Sequence, residues 1–248
     1  MSTESATERR FRPHWLATLV AGLAFLVLIG LGTWQLQRLA WKSEIIALID
    51  ARIGLDPVDL PAAEAIDPPE WRWRPARVTG TFRHDQELHL LANNEAGKSG
   101  YQIITPMDRA DGGTVLINRG WVPADRRDAA TRPEGQIAGT VTVTGLARPA
   151  WEQIWSQKLF VPENDIADNL WFWGDLNAMV AHLGLEDAAP VFLDADSTAN
   201  PGGFPIGGQT VVRIRNEHLQ YAITWYALAA TLVVIWFIAS RRPPETRP

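Results

Sequence analysis

A histidine stands at the start of the second of two long apolar segments in this sequence. At helical spacing His218 shares one face with Tyr221, Trp225 and two alanines. The N-terminus of a helix disfavours imidazolium, so His218 is expected to stay neutral and able to offer a lone pair to a metal. This residue is the strongest candidate ligand in the chain.

A second stripe of chemical interest follows the first apolar segment, where Trp34, Arg38 and Trp41 fall on one helical face. The guanidinium of Arg38 is suited to bidentate binding of a carboxylate. If the two stripes met, they would offer an imidazole, flat aromatic walls and a cation to an amphiphilic macrocycle such as haem. Interfacial belts of Trp and Tyr with snorkelling Arg are a common alternative, and composition alone favours the belt. A belt does not explain His218.

Other chemistries find little support in the composition. No G-x-S-x-G elbow is present, which argues against a hydrolase. His84 and His89 flank Glu87, but a spacing of five places the two histidines on opposite faces of a strand, so exposed strand-end residues are predicted. With no Cys and 3 Met there are few soft ligands for copper. A net charge of −5 without a central basic cluster argues against nucleic acid.

Both apolar segments are long enough to cross a lipid bilayer. Residues 15–33 and 219–239 carry no charge, and a span needs roughly 20 such residues. Core helices of soluble proteins keep a polar stripe, which these segments lack. The first segment has no small-x-small cleavage site after it, so a retained anchor is predicted rather than a signal peptide.

Charged flanks predict the orientation of the two segments. Basic residues concentrate in the two short tails, at Arg9, Arg10, Arg12, Arg241, Arg242 and Arg247. By the positive-inside rule both termini face the cytoplasm and the intervening region is exported. Glu4 and Glu8 in the N-terminal tail are atypical of a mitochondrial transit peptide, so a bacterial inner membrane is predicted. The predicted organisation is a cytoplasmic tail (1–14), a transmembrane helix (15–36), a periplasmic domain (37–217), a second transmembrane helix (218–240) and a cytoplasmic tail (241–248).

The exported region has the pattern of a β-rich domain. Residues 42–52 have helical spacing and continue the first helix; prolines then break the pattern. Short β-type runs separated by turn residues follow at 77–82, 87–91, 101–105, 114–118, 140–144, 191–193 and 210–214. One short helix begins after Asp175 as N-cap and ends at Gly184. The fold class is therefore a membrane protein with two transmembrane α-helices flanking one β-rich domain, a small barrel or a sandwich, with a minor helix.

Four motifs occur in an order that matches a known family. They are Gly32-x-Trp34-Gln35-x-x-Arg38, Asn118-Arg119-Gly120-Trp121-Val-Pro123, Pro201-Gly202-Gly203-x-Pro205 and Asn216-x-His218-Leu-Gln-Tyr221-Ala-x-Thr224-Trp225. Together they resemble the surfeit locus family of cytochrome c oxidase assembly factors, and the resemblance covers essentially the whole chain.

The resemblance implies a non-enzymatic haem A chaperone that aids insertion of this cofactor into subunit I of a haem-copper oxidase. In such a protein His218 is the axial ligand of the haem iron. With the two helical stripes, the predicted cofactor-binding residues are His218, Trp34, Gln35, Arg38, Tyr221 and Trp225. Besides the lipid bilayer, the implied partners are cytochrome c oxidase subunit I, with haem A synthase as a further candidate.

Two other functions compete with haem A binding. A two-helix anchor presenting a β-rich domain to a protein partner, as scaffold or sensor, would use the aromatic residues only as a belt. A membrane-anchored hydrolase has no supporting residue set. The motif Asn118-Arg119-Gly120-Trp121 has a structural interpretation: a strand ending in a turn, with Arg119 pairing a buried acid or the backbone and Gly120 supplying unusual backbone angles.

Overall fold

The computed structural model describes residues 10–11, 13–94, 96–150, 160–210 and 216–242. Two compact units divide the chain, one built from residues 1–48 and 213–248 and the other from residues 49–212. The predicted strand at 210–214 falls outside the described residues except for Thr210, which lies in no strand.

Two long helices dominate the first unit. Helix α1 is Trp15–Ile53, 39 residues, and it contains the predicted helical segment 42–52 without interruption. A second long helix, His218–Ala239, has 22 residues. Both are long and apolar enough to cross a membrane, and most of their leucine, isoleucine and valine side chains are exposed. Strand β1 (Arg10–Phe11) precedes α1, strand β10 (Arg241–Arg242) follows the second long helix, and the two strands pair antiparallel.

The two helices pack along a seam of alternating three- and four-residue spacing. On α1 the less exposed positions include Thr18, Ala21, Phe25, Leu28, Gly32, Gln35, Leu39 and Lys42. On the second helix they include His218, Ala222, Trp225, Ala229, Leu232 and Trp236. This spacing is that of knobs-into-holes packing. Near one end Trp236 Nε1 donates to Thr18 Oγ1 at 3.1 Å, and near the other Thr33 and Tyr226 hydroxyls lie 3.2 Å apart, so the helices run antiparallel.

The second unit is a small β-barrel. Its strands and short helices are β2 (Val58–Asp59), α2 (Pro68–Trp71), β3 (Arg74–Phe82), β4 (Leu88–Asn93), β5 (Ser99–Arg109), β6 (Thr114–Pro123), β7 (Thr140–Pro149), β8 (Leu170–Trp171), α3 (Leu176–His182) and β9 (Ala188–Ala195). The sheet order is β2-β3-β7-β9-β6-β5-β4-β8, and an additional β3–β5 pairing closes five strands into a ring. Of the two predicted architectures, the barrel is therefore the one adopted.

Apolar side chains fill the barrel and also cover part of its outer wall. One cluster lies inside the ring, with Val78, Met107, Val115, Ile117, Ala147, Val191 and Leu193 among its buried members. A second cluster joins α3 to the neighbouring strands through Leu88, Ile104, Leu116, Trp171, Met179 and Phe192. Because β6 contributes to both clusters, all its residues are buried.

Helix α3 has the predicted boundaries. Asp175 caps its N-terminus by accepting a hydrogen bond from the Ala178 backbone N–H at 3.1 Å, and Gly184 follows its C-terminus with φ 63°. Six of the predicted strand segments lie within or overlap β3, β4, β5, β6, β7 and β9.

Candidate functional site

His218 contacts the first helix through its ring. Its Nδ1 lies 2.6 Å from Oε1 of Gln35, which is 9% exposed on the α1 seam. An amide oxygen can only accept, so Nδ1 carries the hydrogen of this bond, and in the neutral ring Nε2 then has the lone pair. Orientation of a metal-binding imidazole by a hydrogen bond at its other nitrogen is the usual arrangement in metal sites. Within the described part of the chain Nε2 has no hydrogen-bond partner.

Small and aromatic residues allow the helices to approach closely one turn from this bond. A Cβ placed on Gly32 would lie 2.8 Å from the Tyr226 ring, so a larger residue there would force that ring or the helices to move. Tyr226 therefore contacts α1, whereas Tyr221 is 52% exposed. Tyr226 is not among the predicted site residues; its spacing of four from buried Ala222 is the signal that identifies its position on the seam.

The arginine of the first stripe stacks on its own helix. Arg38 Cζ lies 4.3 Å from the centroid of Trp41, a cation–π contact. No ion pair to Arg38 occurs among residues 10–11, 13–94, 96–150, 160–210 and 216–242. Trp34 and Trp41 are about half exposed, and Trp225 lies partly buried on the seam. The structure thus brings Gln35 to His218, while Trp34 and Tyr221 present aromatic surface outward.

Asn216, two residues before His218, also reaches α1. Its Nδ2 donates to Ser43 Oγ at 3.2 Å and to Leu39 O at 3.5 Å. Its Oδ1 is buried without a partner in the described structure. Asn216 thus joins the start of the second helix to α1 and adds an amide oxygen near His218.

The motif Asn118-Arg119-Gly120-Trp121 forms a bulge within β6. The prediction of a strand end and turn there is wrong, because β6 continues to Pro123. Ile103 pairs with Gly120 and Ile104 with Asn118, which leaves Arg119 as the extra residue. The predicted role of Gly120 is confirmed: its φ is 122°, and a Cβ there would collide with the carbonyl oxygen of Ile206.

The bulge directs Arg119 into a buried ion cluster, as the structural interpretation predicted. Arg119 is 1% exposed; its Nη1 lies 3.4 Å from Glu87 Oε1 and its Nη2 donates to Gly135 O. Arg132 donates to Glu87 Oε1 at 3.1 Å and also contacts Oε2. Two guanidinium groups therefore face one carboxylate.

Glu87 is buried at 7% exposed, and the prediction of an exposed strand-end position is wrong for it. Burial alone would raise the pKa of Glu87. The pKa of Glu87 is instead lowered to about 2 by the His84 ring, whose Nδ1 lies 3.8 Å from Oε1, by hydrogen bonds from Arg132 and by the charges of Arg132 and Arg119. The carboxylate therefore stays ionised and neutralises part of the buried positive charge.

His89 has an environment that opposes protonation. Burial, followed by the charge of Arg127, lowers the pKa of His89 to about 4. Arg127 Nε donates to His89 Nδ1 at 3.2 Å, a contact that requires the neutral ring at that nitrogen. His89 is thus neutral at physiological pH, and its hydrogen bond with Arg127 holds the loop after β6 against β4.

The chain is thus a protein of two long apolar helices with a five-stranded β-barrel between them in sequence. A contact between His218 and Gln35 joins the two helices. The SURF1 family model matches residues 22–230, which include Gln35, the barrel and His218. The chain belongs to the SURF1 family, and the resemblance read from its motifs is confirmed.

Individual relatives are similar over most of the chain. Surfeit locus protein 1 of Homo sapiens is 40% identical over 243 residues, covering 90% of this chain and 76% of the human protein. The Rattus norvegicus protein of the same name is 39% identical over 242 residues, covering 90% and 74%. A SURF1-like protein of Monosiga brevicollis is 37% identical over 253 residues, covering 97% and 92%.

Proposed function

We propose that this chain is a membrane-anchored assembly factor for cytochrome c oxidase that binds haem A and aids its insertion into subunit I. The observation that carries the proposal is the Gln35–His218 contact, which holds Nδ1 and leaves the Nε2 lone pair available for iron. Membership of the SURF1 family supports the same role. Haem A is cargo here, so a single protein ligand suits binding that must be reversible.

The exposed apolar surface of the two helices supports insertion in a bilayer. Side chains such as Leu19, Leu23 and Leu26 are more than half exposed, and a contiguous apolar surface of this size would be unstable in water. The β1–β10 pairing brings the two ends of the helix pair together, in accord with termini on one side of the membrane. Basic tails favour the cytoplasmic side of a bacterial inner membrane, with the barrel in the periplasm.

The remaining site residues have separate tasks in this proposal. Arg38 offers a guanidinium for a haem propionate, held against Trp41 so that its orientation is restricted. Trp34, Tyr221 and Trp225 supply aromatic surface for the macrocycle. Subunit I of the oxidase receives the haem, and haem A synthase is a candidate source of it.

The visible spectrum of the purified protein tests the ligand assignment. After co-expression with haem A synthase and solubilisation of the membranes in detergent, the wild type is expected to carry a Soret band that His218→Ala removes or shifts. His14→Ala, at the opposite end of α1, is the matched histidine control and is expected to keep the wild-type spectrum. A band unchanged in His218→Ala would refute the assignment.

A second candidate function is a scaffold that recruits a protein partner without haem. The exposure of Trp34 and Tyr221, which is typical of an interfacial belt, favours it. A wild-type protein that carries no Soret band, yet still supports oxidase assembly in cells, would decide for this alternative.

A further inference from the structure

A cavity of about 140 Å³ opens at one mouth of the barrel, far along the sequence from His218. It lies where β3 and β9 end, where β7 begins and where β6 forms its bulge. Its wall includes Phe82, Ile117, Arg119, Val143, Ala199 and Asn200. The volume exceeds what one water molecule needs, so a small polyatomic group fits.

Arg119, one of the residues that line this cavity, has an unused hydrogen-bond donor. Its Nη1 and Nη2 atoms bond within the protein, and its guanidinium carbon lies 4.7 Å from the Phe82 centroid. Its Nε is buried and has no acceptor among the described residues. A buried N–H without an acceptor is unfavourable, and a ligand oxygen in the cavity would remove that penalty.

The surrounding charge favours an anion as the ligand. Arg119 and Arg132 share Glu87, so the cluster holds an excess of positive charge in a buried location. Burial, and then repulsion by Arg132, lowers the pKa of Arg119 to about 10, which an added anion would reverse. Asp196 is the one acidic side chain in the described lining, and its Oδ1 already accepts from the Thr198 backbone N–H at 2.9 Å.

Polar groups at the rim suit an oxyanion. Thr144 and Thr198 line the cavity, while Val143 and Ile117 form its apolar side. Asn200 also lines it, but its Oδ1 accepts from Arg119 Nη2 and its Nδ2 donates to Pro205 O. Oxyanions are bound most strongly by charge-assisted hydrogen bonds from guanidinium groups with hydroxyl donors nearby. Metal cations are disfavoured by the same positive charge.

We propose that the barrel-mouth cavity is a binding site for a small oxyanion, a carboxylate or phosphate group, which accepts a hydrogen bond from Arg119 Nε. The group is either a free anion or the carboxylate of a partner chain. Its described lining residues all belong to the barrel unit.

Thermal unfolding of the full-length protein in nanodiscs of neutral lipid tests the proposal. Acetate and inorganic phosphate are compared with chloride at equal ionic strength, and a saturable rise of Tm is expected for the oxyanions. N-acetyl-diglycine, which has a free carboxyl group, and its amide test whether the ligand is a peptide carboxylate. A rise of Tm with the acid and none with the amide would indicate a peptide carboxylate. No saturable response to any of these oxyanions would overturn the proposal.

Variants at the rim connect the response to the cavity. Ala199→Glu places a carboxylate in the exposed mouth and is expected to raise Tm without ligand and abolish the anion response. Ala199→Gln, of the same size without charge, is expected to retain that response. Identical behaviour of the two variants would overturn the proposal.

Two further substitutions address Arg119 and Asp196. Arg119→Lys keeps the charge but lacks the Nε–H, and its anion response is expected to be lost. If that variant does not fold, the Ala199 pair remains decisive. Asp196→Asn removes the one carboxylate of the described lining and is expected to tighten oxyanion binding by several-fold, because it removes a repulsive charge.

Discussion

The bond between Gln35 and His218 selects one tautomer of the imidazole, and that choice decides which nitrogen can bind iron. Under the proposed function Gln35 is a positioning residue, since it contacts the proposed iron ligand His218 and not the haem. Burial of Gln35 on the seam restricts its rotamers, so the packing of the two helices fixes the orientation of the His218 ring.

Replacement of Gln35 should therefore weaken haem A binding without removal of the ligand. Gln35→Leu is expected to lower haem A affinity by about 10- to 100-fold, the usual effect of losing such a partner. Gln35→Glu, which still accepts from Nδ1–H, should largely restore affinity. Titration of haem A into the purified apo-protein measures both. Gln37→Leu, exposed two residues along α1, is the control, and an equal loss there would contradict the positioning role.

The lowered pKa of His89 predicts how stability depends on pH. In the unfolded chain a histidine takes up a proton near pH 6.5, whereas in the fold the pKa is about 4. Between these values the unfolded state binds more protons, so stability falls as pH is lowered from about 6.5 to 4. Glu87, with a folded pKa of about 2, contributes stability above its unfolded pKa of about 4.5 and loses it as pH falls towards 2.

His89→Gln should flatten the upper part of this profile. Thermal unfolding followed by tryptophan fluorescence from about pH 7 to 4 is the measurement. His14→Gln, exposed near the start of α1, should leave the wild-type slope unchanged. A slope in His89→Gln as steep as in the wild type would assign the dependence to other groups.

At the scale of elements, the close approach of the two long helices depends on one glycine. Gly32→Ala would place a methyl group 2.8 Å from the Tyr226 ring, so the ring or the helix must move. Gly30→Ala meets nothing within 4 Å and is the matched control on the same helix. Gly32→Ala should lower Tm and weaken haem A binding, whereas Gly30→Ala should be neutral or slightly stabilising through helix propensity.

Equal stability and haem A affinity in the two glycine variants would show that the contact with Tyr226 can relax without consequence. Double substitution Gly32→Ala with Tyr226→Leu should recover part of the loss, because the smaller side chain leaves room for the methyl group.

Much of the element pattern can be predicted from local sequence. Asp175 and Gly184 are local end signals, and they are sufficient to identify helix α3. The sequence underestimates strand lengths where closure of the barrel extends pairing beyond the apolar run, as in β6. Asn118-Arg119-Gly120 has turn composition, but pairing with β5 both before and after Arg119 converts it into a bulge.

The sequence predicts that Arg119 pairs with a buried acid or the backbone, but it does not identify Glu87 and Arg132 as members of the ion cluster, because these residues are distant in sequence. Glu87 and Arg119 are separated by 32 residues and Glu87 and Arg132 by 45, and only the sheet order brings them together. Spacing around Glu87 indicates a strand end, yet the burial of that end depends on loops after β6. His218 is identifiable by contrast, since a histidine at the start of an apolar helix has no role in lipid anchoring.

At the scale of the whole molecule, the absence of cysteine in the sequence makes the proposed topology directly measurable. Ala96→Cys lies in an exposed turn of the barrel unit, and Ser5→Cys lies in the N-terminal tail of the sequence. In spheroplasts, a membrane-impermeant maleimide should label Ala96→Cys at once and Ser5→Cys only after permeabilisation. The reverse pattern would place the barrel in the cytoplasm and overturn the proposed localisation.

The hydrogen bond between Trp236 and Thr18 has a consequence for a residue at the far end of the same helix pair. Thr18 and Gln35 are about 26 Å apart along α1, and each bonds a different end of the second helix. If one helix slid along the other by one turn, the two partners of each bond would be about 5.4 Å further apart. Both hydrogen bonds would then be lost. These two bonds therefore favour a single longitudinal alignment of the helix pair. In the proposed membrane orientation, Thr18 would help to set the depth of His218 from the opposite end of the pair.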